Sequence, residues 1–469
     1  MAKIEYKTII SQKAKARFGE LVTGKGSFKL PYISPAIRTH RDCGALLENI
    51  KNGLYPQVIT PYASCRSSVM SDLKDILGLS YETTSATGYV RPETLIIPDP
   101  EYEAISFNCI ARKNFIILGS IDKNYRSLFK TALTSSKNTD SRIKVEKAWR
   151  DITKNYGYTG ITDWATSILE GVESDIFLAP TPIVRGTEDS VLNAFGHGYN
   201  ILDEAMSENK FNIYGIHFLF HWNLFLESNE NSSKARKKIY DMLDTWHTAN
   251  RDRYSSLVFS FKIRDNNHKL SDQNSGSARR QILSDFISEI SERIRRANGM
   301  VIAHNFGNWS LGIIDSGSDI STFRITGPTR IDVPIIIRRG TGIGKNETVS
   351  MPYKGPKEIP SIFSPDTLTE WDIERVKKMW TDYHAYPVPS CVEPEPYWTW
   401  DNYNKKVIYC GRTRCGSLVE LGEEYREVGV NVEGIPLNEA LRNRIKQSDI
   451  DQELKDLCPS LRNYNFGSY

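Results

Sequence analysis

Basic and histidine side chains recur on one face of several predicted strands. Two strands show this most clearly, with Ser260, Lys262 and Arg264 in "SSLVFSFKIRD" and His217 and His221 in "NIYGIHFLFHW". Successive side chains of a strand point to opposite faces, so each set shares one side. Lys and Arg bind phosphate through charge-assisted hydrogen bonds, and histidine serves as a general acid or base. The pattern therefore predicts a site for an anionic, phosphate-bearing substrate.

Other polar residues fall late in the remaining predicted strands or in the loops after them. The substrate-binding candidates are Arg38, Tyr62, His221, Lys262, Arg264, Asn305 and Arg324, with His217 and His304 as the acid and base candidates. Burying such cations without anionic partners costs several kcal/mol each, which favours an anionic ligand. The alternative is that some of them form structural ion pairs with Asp99, Asp175 or Asp265.

Short β-branched or aromatic runs alternate with longer stretches of helical periodicity. The predicted strands are 28–37, 56–64, either 94–99 or 114–121, 174–184, 212–222, 255–263, 300–306 and 321–326. Eight such strands over about 300 residues are typical of a TIM-type (β/α)8 barrel, whose active site lies at the C-terminal ends of the strands. An open, doubly wound parallel sheet gives the same local pattern and remains the alternative.

The domain prediction has four parts. Residues 1–25 form an N-terminal segment, 26–337 the (β/α)8 barrel, 338–366 a Gly- and Pro-rich linker, and 367–469 a small C-terminal α+β appendage. In the appendage, the pattern predicts a helix over 369–384, strands at 405–410, 417–421 and 428–432, and a helical run from Leu437.

Bulk composition is that of an average globular protein. The 469 residues are 39% hydrophobic and 25% charged, and 60 Lys and Arg against 57 Asp and Glu give a net charge of only +3. Net charge therefore does not indicate a nucleic-acid or membrane partner. Seven cysteines without a tight framework are typical of reduced thiols. No apolar run approaches the roughly 20 residues of a spanning helix, so a cytoplasmic location is predicted.

Metal and nucleic-acid binding have weaker signals. His217, His221 and His304 with Asp99 are candidate metal ligands, although the spacing matches no tight signature. Structural zinc is a candidate cofactor of the appendage, with the cysteines Cys391, Cys410, Cys415 and Cys458. The run "GTGIGKN" (340–346) fails the phosphate-loop spacing and is interpreted as a hinge. The aromatic stretch 393–406 either stacks bases of DNA or RNA or packs against a neighbouring domain.

Several phrases, in this order, resemble the tRNA-guanine transglycosylase group and its relatives that insert deazaguanine bases into DNA. They are "SFKLPYISPAI", "VITPYAS", "LIIPDPEYEAI", "ILEGVESDIFLAPTPI" and "HNFGNWSLGIIDSGSD" followed by "GPTR". The resemblance spans roughly 25–330 and implies a barrel that exchanges a base at a glycosidic bond. It implies that Asp99 binds or deprotonates the base and that Asp319 or Asp315 stabilises or captures the sugar cation.

The sequence departs from this family at three points. Asp319 lies two residues out of register with the family's nucleophile, and "DPEYE" replaces the family's "DSGGF". The family's closely spaced zinc cysteines and histidine are also missing. Two other functions therefore stay open. One is a metal-dependent hydrolase on the same scaffold, and the other is a catalytically silent binding subunit whose appendage recognises a partner protein.

Overall fold

The central element is a sheet of eight parallel strands. The computed structural model describes residues 5–10, 15–63, 65, 67–85, 94–102, 142–250, 257–265, 269–270, 275–326, 361–364, 369–372, 400–431 and 451–462. The sheet strands are β4 (Tyr32–Ile37), β5 (Val58–Pro61), β6 (Leu95–Ile96), β7 (Ile176–Pro180), β8 (Ile213–His221), β9 (Val258–Arg264), β10 (Met300–His304) and β11 (Ile320–Arg324). The order β6-β5-β4-β11-β10-β9-β8-β7 is that of a TIM-type (β/α)8 barrel, which confirms the predicted fold.

The two end strands of this sheet are joined through Asp175. Its backbone N–H donates to the carbonyl of Ile96 at 3.1 Å, and its carboxylate accepts from the Ile96 N–H at 2.7 Å. Asp175 also pairs with Lys25 at 2.7 Å. This aspartate, a structural ion-pair candidate in the sequence, therefore nearly closes the barrel. The competing strand prediction at 114–121 lies outside the described residues.

Helices follow most of the strands and surround the sheet. They are α1 (His40–Lys51), α2 (Ser67–Ser85), α3 (Arg142–Gly171), α4 (Glu188–Glu208), α5 (Glu230–Asn250), α6 (Gly276–Arg296), α7 (Ser310–Asp315), α8 (Trp400–Asn431), α9 (Asp451–Leu457) and α10 (Pro459–Arg462). Among the described residues, no helix is long and apolar enough to cross a membrane.

The side chains of β9 alternate between the two faces of the sheet, as predicted. Phe259 and Phe261 point outward into an aromatic layer that includes Phe220 and Phe286. Ser260 and Lys262 point to the other side, into the barrel interior. Apolar side chains of this size gain about 1.5–3 kcal/mol each on burial, so the register is strongly fixed.

A small antiparallel sheet precedes the barrel. It contains β1 (Glu5–Ile10), β2 (Arg17–Thr23) and β3 (Gly26–Leu30), paired in that order. The sheet thus extends past residue 25 to Leu30, and the first barrel strand begins at Tyr32 after a cis peptide bond at Pro31. In this respect, the first predicted strand, 28–37, is two strands in two sheets.

The predicted strands at 405–410, 417–421 and 428–432 are wrong. Residues 405–410, 417–421 and 428–431 lie in the single helix α8, which packs on α1 and β4, and residue 432 lies outside the described residues. Its glycines lower intrinsic helix propensity but permit close contact. A Cβ at Gly422 would lie 3.1 Å from Ile33, and one at Gly429 only 2.0 Å from the ring of Phe18. Packing on the barrel therefore outweighs the weak local preference for helix.

The rest of the predicted appendage is described only in part. The start of the predicted helix at 369–384 is wrong, because Thr369–Asp372 is a strand, β13, paired with β12 (Ser361–Ser364). Helices α9 and α10 lie in the helical run predicted from Leu437. Apart from β12, the predicted linker lies outside the described residues, as does the 340–346 hinge.

Candidate functional site

Polar residues from five strands, or from the residues just after them, meet inside the barrel towards the C-terminal ends of the strands. We call this group the mouth cluster, and it comprises Tyr62, Asp99, His217, Ser260, Lys262, His304 and Asn305. All seven side chains are buried, whereas the interior of an ordinary (β/α)8 barrel is filled by branched apolar side chains. A buried polar set of this size requires internal partners or a ligand.

The base of the cluster is an ion pair between Asp99 and Lys262. The Lys262 Nζ lies 3.0 Å from one carboxylate oxygen of Asp99 and 3.4 Å from the other. Burial alone would raise the pKa of Asp99, but the charge of Lys262, with smaller effects of His304 and His217, lowers it to about 2. Asp99 is therefore an ionised carboxylate at neutral pH, and the structural ion pair considered from the sequence is present.

One serine bridges the two buried histidines. Ser260 Oγ lies 2.8 Å from His217 Nδ1 and 2.8 Å from His304 Nε2, and the two rings meet edge to face with centroids 5.3 Å apart. Burial lowers the pKa of His304 to about 4 and that of His217 well below its usual value. Both imidazoles are therefore neutral at pH 7 and able to accept or donate a proton.

The far ring nitrogens of this pair lack partners. In the part of the chain that the structure describes, His217 Nε2 and His304 Nδ1 are buried and make no hydrogen bond. Buried polar atoms nearly always have a hydrogen-bond partner. A buried polar atom without one lowers stability by about 1–3 kcal/mol. Such atoms close to the C-terminal ends of the barrel strands, where barrel enzymes place their chemistry, indicate a place for substrate or water.

Three cations surround the ring of Tyr62. The guanidinium carbon of Arg38 lies 5.4 Å from the ring centroid, Lys262 Nζ lies at 5.7 Å and the guanidinium of Arg324 at 5.7 Å. Each distance is within the range of a cation–π interaction. The Tyr62 hydroxyl donates to Asn305 Oδ1 at 3.4 Å. Because Asn305 directly follows β10, this hydrogen bond holds the tyrosine ring in place against the end of that strand.

Asp42, on α1, positions the two arginines. Its carboxylate accepts from the backbone N–H of Arg38 at 3.0 Å and from that of Thr326 at 2.9 Å, two residues beyond Arg324. Thr39 and Asp42 also form the capping box that starts α1. One buried carboxylate thus holds together the ends of β4 and β11, which carry the arginines. We did not select Asp42 from the sequence, although the T-x-x-D spacing before a helix signals the cap.

Glu101 is the other residue missed. It lies two residues after Asp99, donates its backbone N–H to that carboxylate at 3.1 Å, and pairs with Arg38 at 3.2 Å. Its backbone φ of 50° is rare for a residue with a side chain. The only signal was its place in "PDPEYE", directly after a predicted strand.

The structure does not bring Asp319 to the cluster. Asp319 precedes the first residue of β11, whereas Arg324 ends that strand, a separation of about 16 Å. Its buried carboxylate pairs with Arg17 at 3.2 Å and accepts from the Val301 N–H at 2.8 Å. We conclude that Asp319 holds the opposite end of the barrel together, and the catalytic role predicted for it does not fit this position.

Asp315 likewise makes structural contacts outside the mouth cluster. It ends α7 and accepts hydrogen bonds from the hydroxyls of Tyr425 and Ser460. These bonds attach the C-terminal helices α8 and α10 to the barrel. Both carboxylates that the family resemblance offers for the sugar cation are therefore structural.

The remaining predicted residues lie at the rim. His221 and Arg264 end β8 and β9 directly opposite each other in register. His221 Nδ1 accepts from the Asn223 N–H at 3.3 Å and so caps a short 3-10 helix.

Metal binding finds no support in the ranges that the structure describes. No three His, Cys, Asp or Glu side chains there are grouped so as to hold an ion. Of the four cysteines considered for zinc, Cys415 and Cys458 are buried as free thiols, and Cys391 lies outside the described residues. Burial raises the pKa of the Cys415 thiol to about 12, so it is a neutral thiol at pH 7.

Comparison with family models and with curated proteins gives no match. No family model fits the chain, and no curated protein is significantly similar to it. The resemblance to transglycosylases stays a prediction, and the function must be argued from the mouth cluster itself.

Proposed function

We propose that this protein is a barrel enzyme that binds a phosphate-bearing substrate at the mouth cluster and moves protons on it with the buried histidines. The observation that carries the proposal is the convergence of Arg38, Lys262 and Arg324 on the single ring of Tyr62. Like charges repel one another, so an anion that binds among three cations around one ring is strongly stabilised.

The local charge balance leaves room for an anion. Lys262 pairs with Asp99, and Arg38 pairs with Glu101. Among the described residues, no carboxylate lies within ion-pair distance of Arg324, whose guanidinium contacts the face of Tyr62. Arginine presents a planar fork of donors that fits phosphate oxygens in pairs. Arg324 is therefore the first ligand for a phosphate, with Arg38 and Lys262 beside the same ring.

The cluster also supplies acid and base groups beneath the cations. His217 and His304 are neutral, and each has one buried ring nitrogen with no partner. A neutral imidazole accepts a proton at one nitrogen and donates one from the other, which is the chemistry of general acid–base catalysis. The site thus combines groups that bind the substrate with groups that transfer protons.

Base exchange on a nucleotide or nucleic acid is the narrower form of this proposal. Its support is the sequence resemblance together with Asp99, an ionised carboxylate that stabilises a developing positive charge on a sugar. Since Asp319 and Asp315 are structural, Asp99 and its neighbour Glu101 are the carboxylates at the mouth cluster, in the described part of the chain, that such a reaction would use. A phosphate-binding site accepts either a free nucleotide or the backbone of a nucleic acid.

Substitution of Arg324 tests the proposed phosphate binding. We expect the wild-type protein to bind inorganic phosphate in titration calorimetry, and Arg324→Met to bind about 10- to 100-fold more weakly, because a hydrogen-bonded charge contributes about 1.5–3 kcal/mol. Arg293→Met is the matched control, since Arg293 also lies over a tyrosine, 4.6 Å from the ring of Tyr240, but on the outer helices. Equal phosphate affinity of the wild type and Arg324→Met would refute the proposal.

A further inference from the structure

We propose that His217, Ser260 and His304 form a proton relay that takes a proton from one atom of the substrate and returns a proton to another. The inference rests on the proposed function, because it assumes that the substrate bound at the mouth reaches these histidines. It deepens that function by naming the reaction class, a proton shift between two positions of the same phosphate-bearing molecule.

The relay follows from the donor count at Ser260. A hydroxyl has one proton to donate and two lone pairs to accept with, and Ser260 Oγ lies 2.8 Å from a ring nitrogen on each side. Both histidines are neutral, so each ring carries one N–H. In the fully bonded arrangement, one histidine donates to Ser260 and Ser260 donates to the other.

This arrangement leaves one donor and one acceptor facing away from the serine. If His217 Nδ1–H donates to Ser260, then His304 accepts at Nε2 and carries its proton on Nδ1, while His217 Nε2 has a free lone pair. If the direction reverses, His217 Nε2 carries the proton and His304 Nδ1 has the lone pair. These are the two buried nitrogens without a partner in the described part of the chain.

The proton balance of one event is complete without any further reactant. His217 Nε2 takes a proton from the substrate, and Nδ1 passes its proton to Ser260 Oγ. The serine gives its own proton to His304 Nε2, and His304 Nδ1 gives its proton to a second atom of the substrate. No net charge forms in the buried pair, and the relay ends in its reversed direction. Exchange of ring protons with water after product release restores the first direction.

Lys262 is placed to couple substrate binding to this relay. Both free nitrogens are shielded from solvent, so a substrate reaches them only by displacing a neighbouring side chain. Lys262 neighbours His304 in the register of β9 and β10, and it also lies beside the Tyr62 ring with Arg324. A phosphate on that ring competes with Asp99 for the Lys262 ammonium, and movement of Lys262 uncovers the histidines.

Nitrogen NMR of the histidine rings tests the relay without a known substrate. The relay requires both rings to have the same tautomer at any moment, either both Nδ1–H or both Nε2–H. We expect the ¹⁵N spectrum of histidine-labelled protein at pH 7 to show this shared tautomer, or averaging between the two shared states. His217→Gln and His304→Gln assign the signals.

A matched pair of serine variants completes the experiment. Ser260→Ala should shift the signals of His217 Nδ1 and His304 Nε2, whereas Ser34→Ala should leave them in place. Ser34 is an equally buried serine of the barrel interior, but it bonds Thr60 and Val58 instead of a histidine. Opposite tautomers, with His217 Nδ1–H and His304 Nε2–H both donating to Ser260, would overturn the relay, as would an imidazolium ring at pH 7. Either result leaves phosphate binding at Arg324 intact, so the two proposals fail separately.

Discussion

Lys262→Met is expected to lower the free energy of unfolding by about 3–5 kcal/mol, because it leaves the buried carboxylate of Asp99 without its cation. Both side chains of this pair are almost fully shielded, at 5% and 1% exposure. Methionine keeps the length and the apolar stem of lysine, so the loss reflects the charge and not a cavity. Urea denaturation of the two proteins at pH 7, followed by circular dichroism, measures the difference.

The double variant Lys262→Met/Asp99→Asn separates the ion pair from packing. It removes both charges, and it should therefore be clearly more stable than Lys262→Met alone. A loss below about 1 kcal/mol in the single variant would mean that the pair is solvated like a surface ion pair. It would contradict the buried site described above.

His304→Gln is expected to make the protein more resistant to acid relative to wild type. The pKa of His304 is about 4 in the folded state and 6.5 in its ordinary environment. Between these values the unfolded state binds the proton more tightly, so this residue's contribution to stability falls as the pH falls. The loss from pH 8 to pH 4 amounts to about 3 kcal/mol, at 1.36 kcal/mol per pKa unit.

The test compares the unfolding free energies of both proteins across this range. Asp265, whose pKa burial raises to about 6, has the opposite sign but is present in both proteins and cancels in the difference. Ser260→Ala retains both buried imidazoles, so it should keep the acid sensitivity of the wild type. A difference between wild type and His304→Gln that does not change with pH would show that His304 is not buried as a neutral base.

The sequence predicts the barrel and most of the mouth because both depend on alternation along strands. In β9, the apolar residues Phe259 and Phe261 specify the outer face, and Lys262 is then left inside. The partner of Lys262 is less predictable. Asp99 is 163 residues away and reaches it only when the barrel brings their strands together across the interior. Pairing was one of several alternatives for Lys262.

The structure differs from the sequence predictions where tertiary packing decides. The family resemblance points to Asp319 because it precedes "GPTR" along the chain, but a residue before a strand lies at the opposite end of the barrel from one after it. In α8, short apolar runs between glycines have the local appearance of strands. Only the barrel surface, which Gly422 and Gly429 contact closely, explains why the segment is one helix.

The bridge between His217 and His304 could not be read from the sequence either. Strand register places Ser260 opposite His217, but a hydrogen bond also depends on side-chain rotamers. The inward position of all three residues follows from the alternation of side chains along their strands. Their connection through one hydroxyl is a property of the folded barrel.

The location of a bound anion tests the central claim most directly. Crystals soaked in tungstate, a heavy analogue of phosphate, reveal the anion by anomalous scattering. We predict a peak beside Tyr62, within hydrogen-bond reach of the Arg324 guanidinium and close to Arg38 and Lys262. A peak only elsewhere on the molecule, or none at the barrel mouth, would contradict the assignment of this site to a phosphate-bearing substrate.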